Sequence, residues 1–428
     1  MRKRFRGLAL VALAAPGACA TVGPAGFPGG SGGVNSPAHR DAPYLVVVSF
    51  DGFRHDYIER HSPPNLLRLA ARGVRAESLI PVFPTKTFPN HYSIATGMYA
   101  ESHGLVDNLF YDPALQTTYT MSERGLVEDP RFYGGEPIWV TAERQRMVAA
   151  SYFWVGTEAP VDGVRPSIWK PYDATVPNHA RVDSALAWLA RPAAVRPHLV
   201  MLYFSDVDDA GHEFGPDSPE VAAAVAEVDR ALGRLLDGLA RLPHGDRVNV
   251  IVVSDHGMAD VEADSAIVLS QLVTLEDARV LGGGPYIGAY FTDPARAARV
   301  DSLLDARLPR AAASYLGEEM PDRLHYERDP RIPDLLVLAE EPWIVVRDAR
   351  ALERDWGGAH GYDNRNPNMH GIFVAAGPDI ARVPAPIASF ENIHIYPFAT
   401  AVLGLAPNAR VDGRLDVLGP FLDRAVGR

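Results

Sequence analysis

Three apolar runs in this sequence each lead into residues that bind cations. Tyr44–Phe50 (YLVVVSF) ends at Asp51-Gly52. His198–Ser205 (HLVMLYFS) is followed by Asp206, Asp208, Asp209 and His212, and Val248–Ser254 (VNVIVVS) by Asp255-His256-Gly257. One such ending is usually just a turn, because Asp and Gly are common turn residues. Three of them, after three strand candidates, form a pattern. Carboxylate oxygens mixed with imidazole nitrogens, without thiols, suit zinc or another borderline divalent ion. Asp208 and His212 are spaced to share one face of a helix, but Gly211 and Gly215-Pro216 favour a loop. Either geometry lets both reach one ion, and spacing leaves open which of Asp206, Asp208 and Asp209 is the ligand. A further cluster, Ala359–Asn364 (AHGYDN), adds His360. On its own it reads as a solvated turn.

A nucleophile is sought next. Pro84–Ile94 (PTKTFPNHYSI) offers hydroxyls at Thr85, Thr87 and Ser93. Pro89 is compatible with the first turn of a helix running through Asn90–Thr96. A hydroxyl there would meet backbone N–H groups that favour an anionic substrate. On spacing alone, the reading of these hydroxyls as helix caps is the stronger.

The elements that must position these residues are legible in outline. The three runs, and Gly371–Ala376, are continuously apolar without alternation, which suits strands covered on both faces. Between the second and third, Val221, Val225, Val228, Leu232, Leu235, Leu239 and Leu242 recur at helical spacing, with Glu227, Asp229, Arg230 and Arg234 available to face outward. Strand, helix, strand implies a parallel sheet with right-handed crossovers. The fold class is therefore α/β, and ligands bind at the carboxyl edge of such strands. Residues 110–140 and 260–345 are richer in Gly and Pro and read as insertions, with 110–170 expected to cover the pocket.

Composition narrows the function classes. The chain has 428 residues, of which 47% are hydrophobic, enough for a sizeable core. Lys and Arg number 41 against 53 Asp and Glu, a net charge of −12, which argues against binding duplex nucleic acid through phosphates. The single cysteine, Cys19, excludes an intrachain disulfide and any Cys-rich zinc site. Residues 1–20, with Arg2, Lys3, Arg4 and Arg6 before a short apolar run, read as an export signal. Cys19 sits where a lipoprotein signal places its lipidated residue, so membrane attachment is expected only through that lipid. Residues 21–43 are Gly- and Pro-rich and read as a linker, leaving 44–428 as the catalytic domain. The expected location is periplasmic, secreted or lipid-anchored at the cell envelope.

Taken together, VSFDGFR, PTKTFPNHYSIATGMYAESHGLVDN, DDAGHEFGP, VVSDHGM and AHGYDN resemble the nucleotide pyrophosphatase/phosphodiesterase family of the alkaline phosphatase superfamily, and ENIHIYPFATAVLGL resembles its closing helix. The resemblance implies an alkaline-phosphatase-like fold, a mostly parallel central sheet with helices on both faces and inserted capping segments. It also implies a site for two zinc ions. Asp208, His212 and His360 match the ligands of one, and Asp51, Asp255, His256 and the Thr87 hydroxyl those of the other. Thr87 is then the nucleophile, and Asn108 matches the residue that hydrogen-bonds a phosphate oxygen. Val207 stands where the family often has proline. Phe88 and Tyr172 match the positions that sandwich the base in nucleotide-cleaving members, and Lys86 is a candidate phosphate contact.

The implied chemistry agrees with physical expectation. A threonine hydroxyl is a poor nucleophile at neutral pH until metal coordination lowers its pKa. The expected reaction is hydrolysis of a phosphodiester or pyrophosphate bond in a small nucleotide, through a covalent phosphothreonine, to release a nucleoside 5′-monophosphate. The rivals are a phospholipid or choline-phosphate diesterase with the same metal site, a feeble phosphomonoesterase, and a catalytically silent surface binding protein.

Overall fold

The structure, a computed structural model, describes residues 32–262, 264–353 and 356–423. A seven-stranded sheet forms its centre. Its strands are β1 (Tyr44–Phe50), β2 (Val74–Arg75), β3 (Ala149–Tyr152), β4 (Ile168–Lys170), β5 (Leu199–Phe204), β6 (Val248–Val253) and β7 (Phe373–Ala376), in spatial order β2-β7-β6-β1-β5-β3-β4. From β6 through β1, β5 and β3 to β4 every pairing is parallel. β7 runs antiparallel to β6 and β2, so the last of the four predicted strands closes the sheet in the opposite sense.

Side-chain alternation along β1 assigns the two faces. Leu45 and Val47 enter one core, which also holds Tyr92, Ile94 and Ala95 of helix α1 (Thr87–Thr96). Tyr44, Val46, Val48 and Phe50 enter the other, packed on helix α3 (Pro219–Leu239). All seven β1 residues are buried, and each large aliphatic so placed stabilises the fold by about 1.5–3 kcal/mol. Ser49 and Asp51 continue the face of Leu45 and Val47, so β1 ends in polar groups directed at the α1 layer.

α3 forms because Ser218 caps it, its hydroxyl accepting from Val221 N at 3.2 Å, with Pro219 in its first turn. The predicted stripe from Val221 to Leu239 is buried; Leu242 lies beyond the helix end and packs at the margin. Asp229, expected to face outward, is buried instead. It accepts from Leu66 N at 2.8 Å and Asn65 N at 3.1 Å, satisfying donors at the start of the helix Pro64–Ala70.

The insertion expected over 260–345 folds as a small lobe. Its four-stranded antiparallel sheet contains Ala278–Gly282, Tyr286–Phe291, Leu335–Ala339 and Ala312–Leu316, in that spatial order. The other insertion opens with a hairpin, Leu109–Asp112 against Thr117–Thr120. The signal, Cys19 and the linker as far as residue 31 lie outside the described residues. Within the rest of the expected linker, Asn35 is buried, donating to Ala193 O and Arg196 O and accepting from Val148 N. The chain is thus anchored on the body ahead of Tyr44, because this side chain satisfies three backbone groups. Among the described residues, no helix is long and apolar enough to cross a membrane.

Candidate active site

The three central strands β6, β1 and β5 are neighbours, so the residues just beyond them meet at one edge of the sheet. Asp51 follows β1 directly and Asp255 stands two residues beyond β6, both in loops. Asp208 and His212 lie on helix α2 (Asp206–Phe214), where the sequence favoured a loop. Asp206, Asp208 and Asp209 in the first turn favour the helix electrostatically. Gly211 is tolerated because a Cβ there would stand 3.0 Å from Met258, so the glycine serves close packing. Gly52 has φ +68°, and a Cβ on it would lie 2.8 Å from Asp208 Cα; the Asp51-Gly52 turn thus admits α2 against β1. His360 arrives from the other side, at the end of a short antiparallel ladder of Gly358–Ala359 on Ala259–Asp260.

Backbone carbonyls fix three imidazoles in the same tautomer. His212 Nδ1 donates to Gly358 O (3.0 Å), His360 Nδ1 to Thr85 O (2.7 Å) and His256 Nδ1 to Gly257 O (2.8 Å). Each therefore presents an Nε2 lone pair inward. Two of these, on His212 and His360, are 3.0 Å apart, with Asp208 Oδ1 3.6 and 3.7 Å away. Around His256 Nε2 stand Asp255 Oδ2 at 3.1 Å, Asp51 Oδ1 at 3.3 Å and Thr87 Oγ1 at 3.3 Å. Tetrahedral ligands bonded at ~2.0–2.2 Å are roughly 3.3–3.6 Å from one another, so the Asp208, His212 and His360 group has the size of a zinc cage, and the neighbours of His256 Nε2 stand from it at a similar spacing. Asp51 Oδ1, Asp208 Oδ1 and Asp255 Oδ2 are buried without a hydrogen bond. Converging lone pairs and orphaned carboxylate oxygens are repulsive unless a cation lies between them, and the donor set fits metal binding.

The electrostatics follow from this crowding. Burial together with the Asp255 and Asp208 carboxylates pushes the Asp51 carboxyl well above its ordinary range. Burial alone would raise Asp255 too, but His256 and His91 beside it hold it well below. Burial, with His256, Lys86 and His212 nearby, holds the His360 imidazole well below its ordinary range. A neutral imidazole is the form that ligates a metal.

Thr87 opens α1, and its hydroxyl lies on the wall of a cavity of about 440 Å³ that Asp51 and Asp208 also line. Phe88 and Tyr172 line the same cavity, so both aromatic positions singled out in the sequence are brought to it. Met121, Ser122, Arg124, Val127, residues 153–156 and Glu158 add to the wall from within the segment expected to cover the pocket. Asn108 stands beside Thr87: its Oδ1 accepts from Phe88 N at 2.9 Å, which turns its amide NH₂ away from that bond. Lys86 departs from the expected phosphate contact. Its Nζ donates to His360 O at 2.7 Å and so supports the ligand loop.

Three supporting residues were missed by sequence reasoning. His91, one turn along α1 from Thr87, directs Nδ1 toward Thr87 O (2.9 Å) and Asp255 Oδ2 (3.2 Å), while Nε2 accepts from Ser49 Oγ (2.8 Å). Its inward nitrogen is a donor taken up by Thr87 O, and the imidazole lies against Asp255 within ion-pair distance. Tyr203 Oη donates to Asp51 Oδ2 at 2.6 Å. The available signals were the four-residue spacing of Thr87 and His91 on a helix and the two-residue spacing of Ser49 and Asp51 on a strand. Tyr203 gave none, because its pairing with Ser49 across β1 and β5 needs the register.

A family model described as type I phosphodiesterase / nucleotide pyrophosphatase matches residues 45–363. Venom phosphodiesterase CdcPDE of Crotalus durissus collilineatus is 37% identical over 405 residues, covering 91% of this chain and 48% of that protein. Ectonucleotide pyrophosphatase/phosphodiesterase family member 1 of Mus musculus is 36% identical over 394 residues, covering 89% of this chain and 43% of that one. The chain thus spans about half the length of these relatives. Human ectonucleotide pyrophosphatase/phosphodiesterase 5 superposes with a TM-score of 0.83 at 29% identity, covering 89% of this chain and 100% of that one. Its murine counterpart, in an inactive threonine-to-alanine form in complex with AMP, gives 0.82 with the same identity and coverage.

Proposed function

The chain belongs to the type I phosphodiesterase/nucleotide pyrophosphatase family, on an alkaline-phosphatase-like fold, and from that premise we propose that it is an exported, zinc-dependent hydrolase of small nucleotides. It cleaves a phosphodiester or pyrophosphate bond and releases the nucleoside 5′-monophosphate. The observation that carries this reading is one cavity that joins the Thr87 hydroxyl, among the Asp51, Asp255 and His256 donors, to the aromatic walls of Phe88 and Tyr172. The murine relative solved with AMP supports the nucleotide as substrate class.

Two zinc ions, held by Asp208, His212 and His360 and by Asp51, Asp255, His256 and Thr87, would lower the pKa of the nucleophile and offset charge on the attacking and leaving oxygens. The Thr87 hydroxyl gives its proton to solvent, its oxygen attacks the phosphorus in line, the Oγ–P bond forms and the bond to the leaving oxygen breaks. Asn108 donates its amide N–H to a non-bridging phosphate oxygen as charge develops there. Water then attacks the phosphothreonine, its oxygen bonds to phosphorus, the Oγ–P bond breaks and a proton of that water goes to the Thr87 oxygen. Phe88 and Tyr172 hold the base from either side. Stacking on aromatic faces tolerates any base. The basic, apolar and small residues of 1–20 support export, and Cys19 is the residue that would carry a lipid.

The aromatic pair gives the test of substrate class. Phe88→Ala and Tyr172→Ala are each expected to lower kcat/KM for the p-nitrophenyl ester of thymidine 5′-monophosphate by roughly 5- to 160-fold, the equivalent of ~1–3 kcal/mol per stacked base. The phosphocholine ester, which has no base, is expected to be little affected. Equal losses on both esters would mean that the rings only pack, and a wild-type preference for phosphocholine would favour the choline-phosphate reading.

A further inference from the structure

One side chain of the insertion lobe reaches deep toward the reaction site. Tyr286 begins the lobe strand Tyr286–Phe291, yet its ring is buried in the main core. Its hydroxyl donates to Asp107 Oδ2 at 2.5 Å, and Asp107 Oδ1 accepts from Asn108 N at 2.6 Å. Asn108 Oδ1 in turn accepts from Phe88 N at 2.9 Å, next to Thr87. The other face of the arrangement is Lys86, whose Nζ stands 5.6 Å from the Tyr286 ring centroid and donates to His360 O. Gly361 makes room for this packing: it has φ +125°, and a Cβ there would lie 2.7 Å from Lys86 Cε and 3.1 Å from the Tyr286 ring. Three segments that approach the site from different parts of the chain, 85–88, 107–108 and 360–361, therefore close around one tyrosine of an element outside the sheet.

We infer that Tyr286 is a positioning residue, through which the insertion lobe sets the Asn108 amide for the phosphate. This rests on the proposed role of Asn108 in the hydrolysis. Asp107 is buried between Tyr286 and its own loop. Without the Tyr286 hydroxyl, its carboxylate loses the donor supplied by the lobe, and a buried carboxylate turns toward whatever donor remains. Such a turn moves the Asn108 backbone bonded to it, and with it the amide. The rings of Phe88 and Tyr172 take no part in this chain of bonds, so binding of the base is largely preserved while stabilisation of the developing charge is lost.

The test is a double-mutant cycle on the zinc-loaded protein with the thymidine 5′-monophosphate p-nitrophenyl ester. Losing one donor of this kind outright costs ~10²–10³ in kcat, so misplacing it through Tyr286→Phe is expected to cost roughly 10-fold, with KM within about twofold. In the Asn108→Ala background the same change is expected to cost nothing further, since the group it positions is gone. Tyr290→Phe removes a hydroxyl from the same strand, one that donates to Arg331 O, and is expected to leave kcat unchanged. An equal loss in both backgrounds, or none in either, would overturn the inference. If Tyr286→Phe fails to fold, Asp107→Asn weakens the same link from its other end and must show the same dependence on Asn108. A wild-type protein that leaves the ester intact would instead overturn the proposed function, so the two failures are separable.

Discussion

Thr87→Ala is expected to abolish turnover, by roughly 10⁴-fold or more in kcat, because the proposed covalent bond to phosphorus is made by the hydroxyl that this change removes. The fold should survive. Thr87 is buried, but its hydroxyl contacts only the site, at His256 Nε2. α1 does not depend on it for a cap: Thr87 is the first residue of the helix, and Asn90 N and His91 Nδ1 bond to the backbone oxygens of Lys86 and Thr87. Thermal unfolding and zinc content measured beside activity separate loss of chemistry from loss of structure. A Thr87→Ala protein with wild-type rates would refute the mechanism. Rapid acid quenching of the wild type during turnover, followed by mass spectrometry of the Thr87 peptide, is expected to show the nucleotidyl adduct that the variant lacks.

Removing divalent metal has the other large effect. With a chelator, activity is expected to fall below about 1% of the loaded protein, since nucleophile activation and charge offset are lost together. The melting temperature should fall as well. Asp51, Asp208 and Asp255 present buried oxygens without hydrogen bonds, and His212 and His360 oppose lone pairs at 3.0 Å. An ion that binds only the folded chain stabilises it, and its removal leaves those repulsions uncompensated. Zinc should restore both activity and melting temperature better than magnesium, which binds imidazole poorly and prefers an all-oxygen octahedron. Full activity after complete chelation would refute the metal assignment.

The strands were legible because their residues are apolar without interruption, which only burial on both faces explains. Their convergence was legible because Asp and His follow three of them. The helical state of 206–214 was not: Gly211 and Gly215-Pro216 weaken a helix locally, while the compensation is tertiary, the close seat of Gly211 on Met258 and of Asp208 on Gly52. Asp229 misled for a related reason. A charged residue on the polar side of a stripe is usually solvated, but here a second helix brings unpaired N–H groups to it. Spacing alone could not choose Asp208 over its neighbours, and in the structure it is Asp208 Oδ1 that faces both His212 and His360. Tyr203 and Tyr286 were beyond reach, because each acts across a contact between distant segments that no local pattern encodes.

The account is tested most directly by the products formed from ATP. Zinc-loaded protein is expected to yield AMP and pyrophosphate in equal amounts, since on the proposed reading Phe88 and Tyr172 hold the base so that Thr87 meets the α-phosphorus. Formation of ADP and phosphate would place the attack at the terminal phosphorus, and would contradict the proposal that the aromatic cavity selects the bond that is broken.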